Sequence, residues 1–209
     1  MRLRSARAAA ITSAMAKRIT ARDDRPALGA TAGDTAAKLV AAAAKEFKRH
    51  GFHGTDSNKI ARRAGFAPQT FYRWFRDKTQ IFLAVYRAWE DEEREVVGGL
   101  LAEQAPDERL VDAIVAHHRA YRLFRRSLRQ LSLEDAVVRK ARAESRLRQI
   151  ERIRRAAGPE VGSTADIAAI LLQIERLSDA VAEGELIDLG VGDEAARAAL
   201  GALLARLRR

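Results

Sequence analysis

The amino-acid sequence predicts an all-α protein of about nine helices. Apolar residues recur at spacings of three and four along most of the 209-residue chain, which is the repeat of one face of an α-helix. No segment shows the sustained alternation of apolar and polar residues, bounded by turns, that a half-buried strand requires. Hydrophobic residues make up 47% of the chain, enough to form an adequate core.

Residues 1–33 are predicted to be a basic, disordered arm. They are rich in Ala and Arg, have Pro26, Gly29 and Gly33 near their end, and carry 7 basic against 2 acidic side chains. They offer little apolar surface to bury, and they lack the long apolar run and cleavage site of a secretory signal. The alternative is that their basic side chains add contacts to a nucleic acid, as the arms of other DNA-binding proteins do.

Residues 34–80 are predicted to form a three-helix domain. Its first helix ends near His50, and its apolar face should pack across two short helices that follow. The positions on that face are Leu39, Val40, Ala43, Ala44 and Phe47.

The second and third helices are predicted from residues 55–78, which read TDSNKIARRAGFAPQTFYRWFRDK. Thr55 and Asp56 can cap a helix that runs to about Arg63, because a side-chain oxygen there accepts from a backbone N–H of the first turn. Gly65 then supplies the positive φ of a tight turn, and Pro68 suits the first turn of the next helix. That helix carries polar side chains outward, with Phe71 and Phe75 inward. The arrangement is a helix-turn-helix whose second helix is suited to a DNA major groove.

The stretch from about Asp34 to Tyr86 resembles the DNA-binding domain of the tetracycline-repressor (TetR) family of bacterial regulators. The resemblance covers roughly a quarter of the chain and rests on the spacing of Gly51-Phe52, Thr55, Ile60-Ala61, Ala64-Gly65, Thr70-Phe71-Tyr72, Phe75 and Asp77-Lys78. Ala67 stands where the family often has a capping Ser, and Gln69 where Gly is frequent. These departures change what the helix start offers to DNA, so no operator sequence carries over.

The resemblance implies that Gln69, Thr70 and Arg73 face base edges or the adjoining backbone. Gln pairs bidentately with adenine and Arg with guanine, while a Thr methyl group contacts thymine. Contacts to phosphates are expected from Thr55, Tyr72, Trp74 and Lys78. Two of these, Thr55 and Lys78, lie at helix N-termini, where anions are favoured. The alternative for the two aromatic residues is partial burial in the core.

Positive charge is concentrated in the first part of the chain. Residues 34–80 carry 10 basic and 4 acidic side chains, whereas the 129 residues after them carry 21 and 22. A basic N-terminal part joined to a nearly neutral remainder is typical of a nucleic-acid reader with a separate second function. The chain has no Cys, which suits a reducing cytoplasm, and no apolar run long enough to span a membrane.

Residues 81–209 are predicted to form a helical domain for effector binding and dimerisation. Two amphipathic helices, at about 164–183 and 193–207, close the chain, and their apolar stripes predict a homodimer. The resemblance implies that these helices pair with their symmetry mates as a four-helix bundle. The predicted interface comprises Ile167, Ile170, Leu171, Ile174, Leu177, Leu200, Leu203, Leu204 and Leu207. The alternative is that both stripes are intramolecular core.

The resemblance also implies that an unknown small-molecule effector binds among the middle helices. Side chains able to line such a pocket are Trp89, His117, Tyr121, Phe124, Glu134 and Glu175. The alternative for each of these residues is that it is an ordinary core or surface residue with no role in binding. The many arginines between residues 119 and 155 would favour an anionic effector, unless they are simply solvated.

The sequence predicts no enzymatic activity, no cofactor and no metal site. Gly190-Val191-Gly192 with Ala195 formally matches a dinucleotide fingerprint, but it lacks a preceding strand and a βαβ unit. His117 and His118 point about 100° apart on a helix and so cannot ligate one metal together from a single face. No catalytic constellation is present.

Taken together, these features predict a cytoplasmic, homodimeric regulator that binds a double-stranded DNA operator. The expected mechanism is a repressor released from a palindromic operator by its small-molecule ligand. The two recognition helices of a dimer would lie about 34 Å apart, one turn of DNA. The alternatives are a regulator that needs no ligand and a nonspecific basic nucleic-acid binder.

Overall fold

The computed structural model describes residues 31–208 and contains ten α-helices and one 3-10 turn in that range. These residues include no β-strand, which confirms the all-α prediction. The predicted arm lies outside the described residues except for its last three, which already belong to the first helix. The chain divides into two compact units, one up to Asp91 and the other from Glu92 onward.

The first unit contains three helices and the beginning of a fourth. They are α1 (Thr31–His50), α2 (Ser57–Arg63), α3 (Pro68–Trp74) and α4 (Lys78–Ala102), of which α4 includes residues of both units. The start of α1 precedes the predicted start by three residues. The three-helix arrangement at the N-terminal end of the described chain is the predicted one.

Aromatic rings form the centre of the first unit. The ring of Phe82 on α4 meets the ring of Phe47 edge-on at 5.1 Å between centroids, and the ring of Phe52 at 5.3 Å. Ile60 of α2 and Phe71 of α3 are completely buried in the same unit. Edge-to-face contacts of this kind add to the stabilisation from apolar burial. The core thus fixes α2 and α3 from their inner faces and leaves their outer faces to solvent.

The second unit contains the rest of α4 and six further helices. They are α5 (Asp107–Ala120), α6 (Arg122–Glu134), α7 (Ala136–Ala157), α8 (Thr164–Glu183), α9 (Glu185–Asp188) and α10 (Glu194–Arg206), with a 3-10 turn at Pro159–Val161. The sequence pattern predicts a helix from Leu133 to Ala157, but α6 continues to Glu134 and α7 begins only after Asp135. The Asp135 carboxylate accepts from the backbone N–H of Val137 at 2.8 Å and so caps a new helix.

Helices α5, α8 and α10 enclose the larger core of the second unit. Val111 and Val115 of α5 pack with Ile170 and Ile174 of α8, and Leu200 of α10 joins the same cluster. A capping box between Ser163 and Asp166 starts α8, and Gly184 ends it in the left-handed conformation. The long α8 is therefore defined at both ends by local signals and along its length by apolar contacts.

Among residues 31–208, no helix combines the length and the apolar character needed to cross a membrane.

Candidate functional site

The turn between α2 and α3 has the geometry that the sequence predicts. Asp56 caps α2 by accepting from the backbone N–H of Lys59 at 2.8 Å. At the other end of α2, Gly65 has φ +82°, and the N–H of Phe66 donates to the carbonyl of Ala61 at 2.9 Å. These bonds close a helix end in which a left-handed residue is required, which explains the glycine.

Helix α3 presents a polar outer face. Gln69, Tyr72 and Arg73 are exposed, whereas Phe71 is buried and anchors the helix from below. Thr70 lies between the two faces and is partly buried. The side chain of Tyr72 is 54% exposed, so Tyr72 is not a core residue, which was the alternative for it. Spacings of three and four align the exposed residues along the helix.

Ser57 is part of this surface, although sequence reasoning did not single it out. Its Oγ lies 2.7 Å from the hydroxyl of Tyr72, in a hydrogen bond that joins the first turn of α2 to the outer face of α3. The two residues are 15 positions apart, and their meeting depends on how α2 and α3 cross. The sequence alone therefore does not predict the hydrogen bond between Ser57 and Tyr72.

Trp74 and Lys78 lie at the edge of this surface and have partners inside the first unit. Trp74 is partly buried and packs against Ala36 and Ala37 of α1. The ammonium group of Lys78 donates to the carbonyl oxygens of Phe52 at 2.8 Å and Thr55 at 2.9 Å. It also lies 4.1 Å above the ring of Phe52, a cation–π contact. Burial lowers the pKa of Lys78, while Asp56 acts in the opposite direction.

Thr55 is buried, with 3% of its surface exposed, and its hydroxyl donates to Glu46 Oε2 at 2.7 Å. Arg63 Nε donates to the other carboxylate oxygen of Glu46. Burial would raise the pKa of Glu46, but the hydrogen bonds from Thr55 and Arg63 outweigh it and lower the pKa. Glu46 thereby ties the start and the end of α2 to α1.

Glu46 was missed by sequence reasoning, although a signal exists. It follows Ala43 by three positions and Leu39 by seven, which places it on the apolar face of α1. A carboxylate at such a position needs a buried donor or cation. The identity of those partners comes only from the structure.

The residues predicted to line an effector pocket are not all brought together. In the second unit the rings of His117 and Tyr121 lie 5.1 Å apart, and those of Tyr121 and Phe124 lie 6.3 Å apart. Glu134 is exposed and accepts from Gln130 on its own helix. Trp89 belongs to the first unit, where it is buried and stacks on Tyr86.

Glu175, the last of the predicted pocket residues, lies in an ion-pair network. Arg125 donates to its Oε1 at 2.7 Å and Arg142 at 2.5 Å, while Arg146 contacts its Oε2. Burial opposes the charge of Glu175, but the three arginines prevail and hold its pKa at about 2. The network continues to Asp179, to which Arg125 donates through two nitrogens, both at 3.1 Å.

The predicted interface residues of α8 and α10 pack inside the chain. Six of them are buried in two core clusters of the second unit, and the other three are partly buried against the same clusters. The buried ones are Ile167, Ile170, Leu171, Ile174, Leu200 and Leu203; the partly buried ones are Leu177, Leu204 and Leu207. The stripes therefore serve the intramolecular core, which was the alternative interpretation. A surface for self-association on these helices has to come from their outward side chains.

Comparison with known proteins places the first unit in a recognised group. Residues 39–85 match the family model of bacterial regulatory proteins of the tetR family. Over 66 residues the chain is 35% identical to the uncharacterized HTH-type transcriptional regulator YdgC of Bacillus subtilis (strain 168). That match covers 32% of this chain and spans about a third, 34%, of the length of YdgC.

Solved structures resemble the chain over most of its length. A Rhodococcus sp. protein assigned to the TetR family of transcriptional regulators aligns with 84% of this chain and 99% of its own, at a TM-score of 0.63 and 18% identity. The fatty acid degradation regulator FadR of Bacillus halodurans aligns with 86% of this chain and 96% of its own, at a TM-score of 0.52 and 18% identity. The match over the helix-turn-helix shows that residues 39–85 resemble the DNA-binding part of tetR-family bacterial regulatory proteins, and the whole chain shares the fold of TetR-family transcriptional regulators.

Proposed function

We propose that this protein is a non-enzymatic, cytoplasmic repressor that binds a palindromic operator as a homodimer and is released by a small-molecule effector. The observation that carries the proposal is the outer face of α3. Gln69, Tyr72 and Arg73 project from a helix whose inner face is anchored by Phe71. All three side chains are exposed to solvent, and Gln and Arg are residues that read base edges in the major groove.

The proposed roles of the other predicted contacts follow from their surroundings. We assign base reading to Gln69, Thr70 and Arg73, and backbone contact to Tyr72, whose hydroxyl is oriented by Ser57. Thr55, Trp74 and Lys78 are assigned to holding α2 and α3 in place, because their side chains are engaged within the first unit. Base-reading side chains can act only if the helix that carries them is held in a fixed position, and these three residues hold it.

The first experiment is a footprint of the purified protein on DNA flanking its own gene, at physiological salt. We expect a protected palindrome, and we expect Arg73→Ala to weaken specific binding by about 1–3 kcal/mol because a bidentate contact to a base is lost. Arg62→Ala is the matched control, since Arg62 is exposed on α2 and the same charge is removed. We expect that control to affect all DNA sequences alike and only weakly.

Two results would contradict the proposal. Diffuse protection that disappears steeply with added salt would indicate charge without sequence readout, and the protein would be a nonspecific binder. Equal loss of affinity for all sequences in both variants would make Arg73 a phosphate contact rather than a base-reading residue.

We propose that the dimer forms through the outward faces of α8 and α10. These faces are narrow and built mainly from small side chains, namely Ala165, Ala169, Leu172, Ala195, Ala198, Ala199 and Ala202, all exposed. Glu194 begins α10 and Arg206 ends it, so an antiparallel pairing would place Glu194 near the partner's Arg206. A two-fold axis repeats such a contact twice, and small residues let helices approach closely.

We propose that an effector binds in the second unit, near the rings of His117, Tyr121 and Phe124. The hydroxyl of Tyr121 donates to Glu92 Oε2 on α4 at 2.7 Å, so a ligand at these rings would meet the helix that also contributes to the first unit. An effector shifts the equilibrium only by its differential affinity for two states, and a 100-fold loss of operator binding requires about 2.7 kcal/mol. A chain whose operator affinity responded to no compound would be a ligand-independent regulator.

A further inference from the structure

His118 lies in the second unit with a carboxylate at each ring nitrogen. Its Nδ1 is 2.8 Å from Asp179 Oδ1 on α8, and its Nε2 is 3.3 Å from Glu93 Oε1 on α4. The side chain of His118, on α5, is 3% exposed, and that of Asp179 is 2% exposed. One imidazole ring thus bridges α4 and α8. Within residues 31–208, no group of His, Asp and Glu side chains has the arrangement needed to hold a metal ion.

Only the protonated ring can satisfy both contacts. A carboxylate accepts hydrogen bonds but does not donate them, and a neutral imidazole has a single N–H. The neutral ring must therefore leave one of the two carboxylates opposite a nitrogen lone pair. In a buried site, that replaces a charge-assisted hydrogen bond with a repulsive contact.

The surrounding charges determine which contact is lost. Asp179 also accepts from Arg125 of α6, through Nε at 3.1 Å, and from Nη1 of Arg129 at 2.5 Å. It remains ionised and keeps the shorter bond to Nδ1, so the departing proton is the one on Nε2. Glu93 is the acceptor that is left without its bond to the ring.

Charged groups on every neighbouring element influence this equilibrium. Burial opposes the charge on His118, but the hydrogen bonds to Asp179 and Glu93 outweigh it and raise its pKa above the ordinary 6.5, with Arg125 acting against them. Glu175 of α8 is neutralised by its own arginines, and Arg197 of α10 by Asp112 and Asp193. His117 is the other titratable group of the same turn, and it lowers the pKa of Glu93.

We propose that His118 is a proton-operated clamp that holds Glu93 of α4 to Asp179 of α8 when the ring is protonated and releases Glu93 when the ring is neutral. The proton thereby acts as an effector of this regulator. The proposal rests on the proposed function, because α4 contains both Glu93 and, at its start, residues of the DNA-binding unit. On proton loss, the Nε2 proton passes to solvent and no other bond changes.

The direction of the pH response follows from the raised pKa. The clamp is complete at pH values below about 6.5 and weakens as the pH rises through the higher folded-state value. If the operator-bound and released states differ in this one proton, operator affinity changes by up to about tenfold per pH unit within that window.

Glu93→Gln is the informative variant. Its amide N–H can donate to the unprotonated Nε2, so the clamp no longer requires a proton. The matched control is Glu95→Gln, which makes the same change from carboxylate to amide at an exposed position of α4 and leaves His118 with both of its carboxylates. For the full-length wild type and both variants, the measurements are the NMR titration of the His118 ring, the free energy of unfolding and the operator affinity from pH 6 to 9.

We expect the His118 ring of the wild type to titrate above pH 6.5, with stability and operator affinity changing in the same window. In Glu95→Gln these changes should persist, and in Glu93→Gln they should be absent. A ring that titrates at or below pH 6.5 would overturn the proposal, and this measurement needs no variant to fold. The proposal also fails if the affinity of Glu93→Gln follows pH as the wild type does.

A third result separates this inference from the proposed function. If the ring titrates as expected but operator affinity stays constant, His118 is a structural ion pair, and the proposed repressor function is untouched. If the protein protects no specific DNA at any pH, the proposed function itself is refuted, and the regulatory role of His118 falls with it.

Discussion

Arg73 and Lys78 carry the same charge in the same short stretch of sequence, but their side chains have different surroundings. The Lys78 ammonium group is held by two carbonyl oxygens and an aromatic ring in the loop before α2. Arg73 lies on the exposed face of α3. A cation with its donors already used inside the protein gains less from a phosphate than one facing solvent. Charge alone therefore does not distinguish the proposed roles of the two residues.

Thr55 is a neutral side chain that is likewise bonded inside the protein, to Glu46. We expect Thr55→Val to lower the free energy of unfolding by about 1–3 kcal/mol, because the buried Glu46 carboxylate loses a donor without gaining water. The measurement is urea unfolding at neutral pH. Ser57→Ala, which removes a hydroxyl from an exposed hydrogen bond, is the control and should change stability by no more than about 0.5 kcal/mol.

The pH dependence provides a second check on Thr55. The pKa of Glu46 is lowered in the folded protein, so its contribution to stability is present above the ordinary carboxyl value of 4.5 and is lost as the pH falls through the folded value. The difference between the wild type and Thr55→Val should therefore shrink in acid. Equal stability of the two proteins at neutral pH would show that the hydroxyl does not support Glu46.

At the scale of the element, the turn after α2 depends on one backbone conformation. A Cβ atom at Gly65 would meet nothing within 4 Å, but the residue has φ +82°, which L-amino acids with a side chain rarely adopt. We expect Gly65→Ala to destabilise the protein by about 1 kcal/mol through backbone strain alone. The measurement is thermal or urea unfolding.

Gly98 offers a matched control for Gly65. It lies within α4, has equal space around its Cβ position and has no positive φ. Gly98→Ala should stabilise the protein by about 0.5–1 kcal/mol, because alanine loses less backbone entropy in a helix. If both variants shifted stability in the same direction, the conformation of Gly65 would not be what requires glycine there.

Local signals explain how far the elements could be predicted from the sequence. The bounds of α2 and α3 follow from Asp56, Gly65 and Pro68, each of which acts on its immediate neighbours. The predicted start of α7, at Leu133, is three residues too early because the same Arg-rich helical pattern runs on both sides of Asp135. The sequence does contain a signal for this start, since Asp favours the N-cap position just before a helix and Asp135 occupies it.

The ion-pair network was beyond the reach of sequence patterns. Arg125 and Asp179 are 54 positions apart, and His118 and Asp179 are 61 apart. Helical periodicity assigns such residues to a face but does not say which face of another helix they meet. The sequence analysis predicts Glu175 as a pocket residue but does not predict the arginines that surround it. Those ion pairs are known only from the way α5, α6 and α8 pack together.

At the scale of the whole molecule, the proposed dimer would use a different set of side chains from the set that the sequence predicts. Because the large apolar residues of α8 and α10 fill the chain's own core, self-association must use what remains outside. Leu172 is the largest apolar side chain on the outward face of α8 and is 57% exposed. We propose this exposed leucine among alanines as the centre of a close, symmetric contact between the two copies.

We expect Leu172→Glu to convert the dimer into a monomer, because a two-fold axis would bring the two introduced carboxylates together in a desolvated contact. Leu147→Glu is the matched control, since Leu147 on α7 is 59% exposed and lies outside the proposed interface. Sedimentation velocity should give a monomer for the first variant and a dimer for the second, with both folded by circular dichroism. The monomer should also lose specific operator binding, since the two recognition helices would no longer be held one DNA turn apart. Dimers in both variants would place the interface elsewhere, and monomers in both would show that dimerisation depends on general surface charge rather than on the outward face of α8.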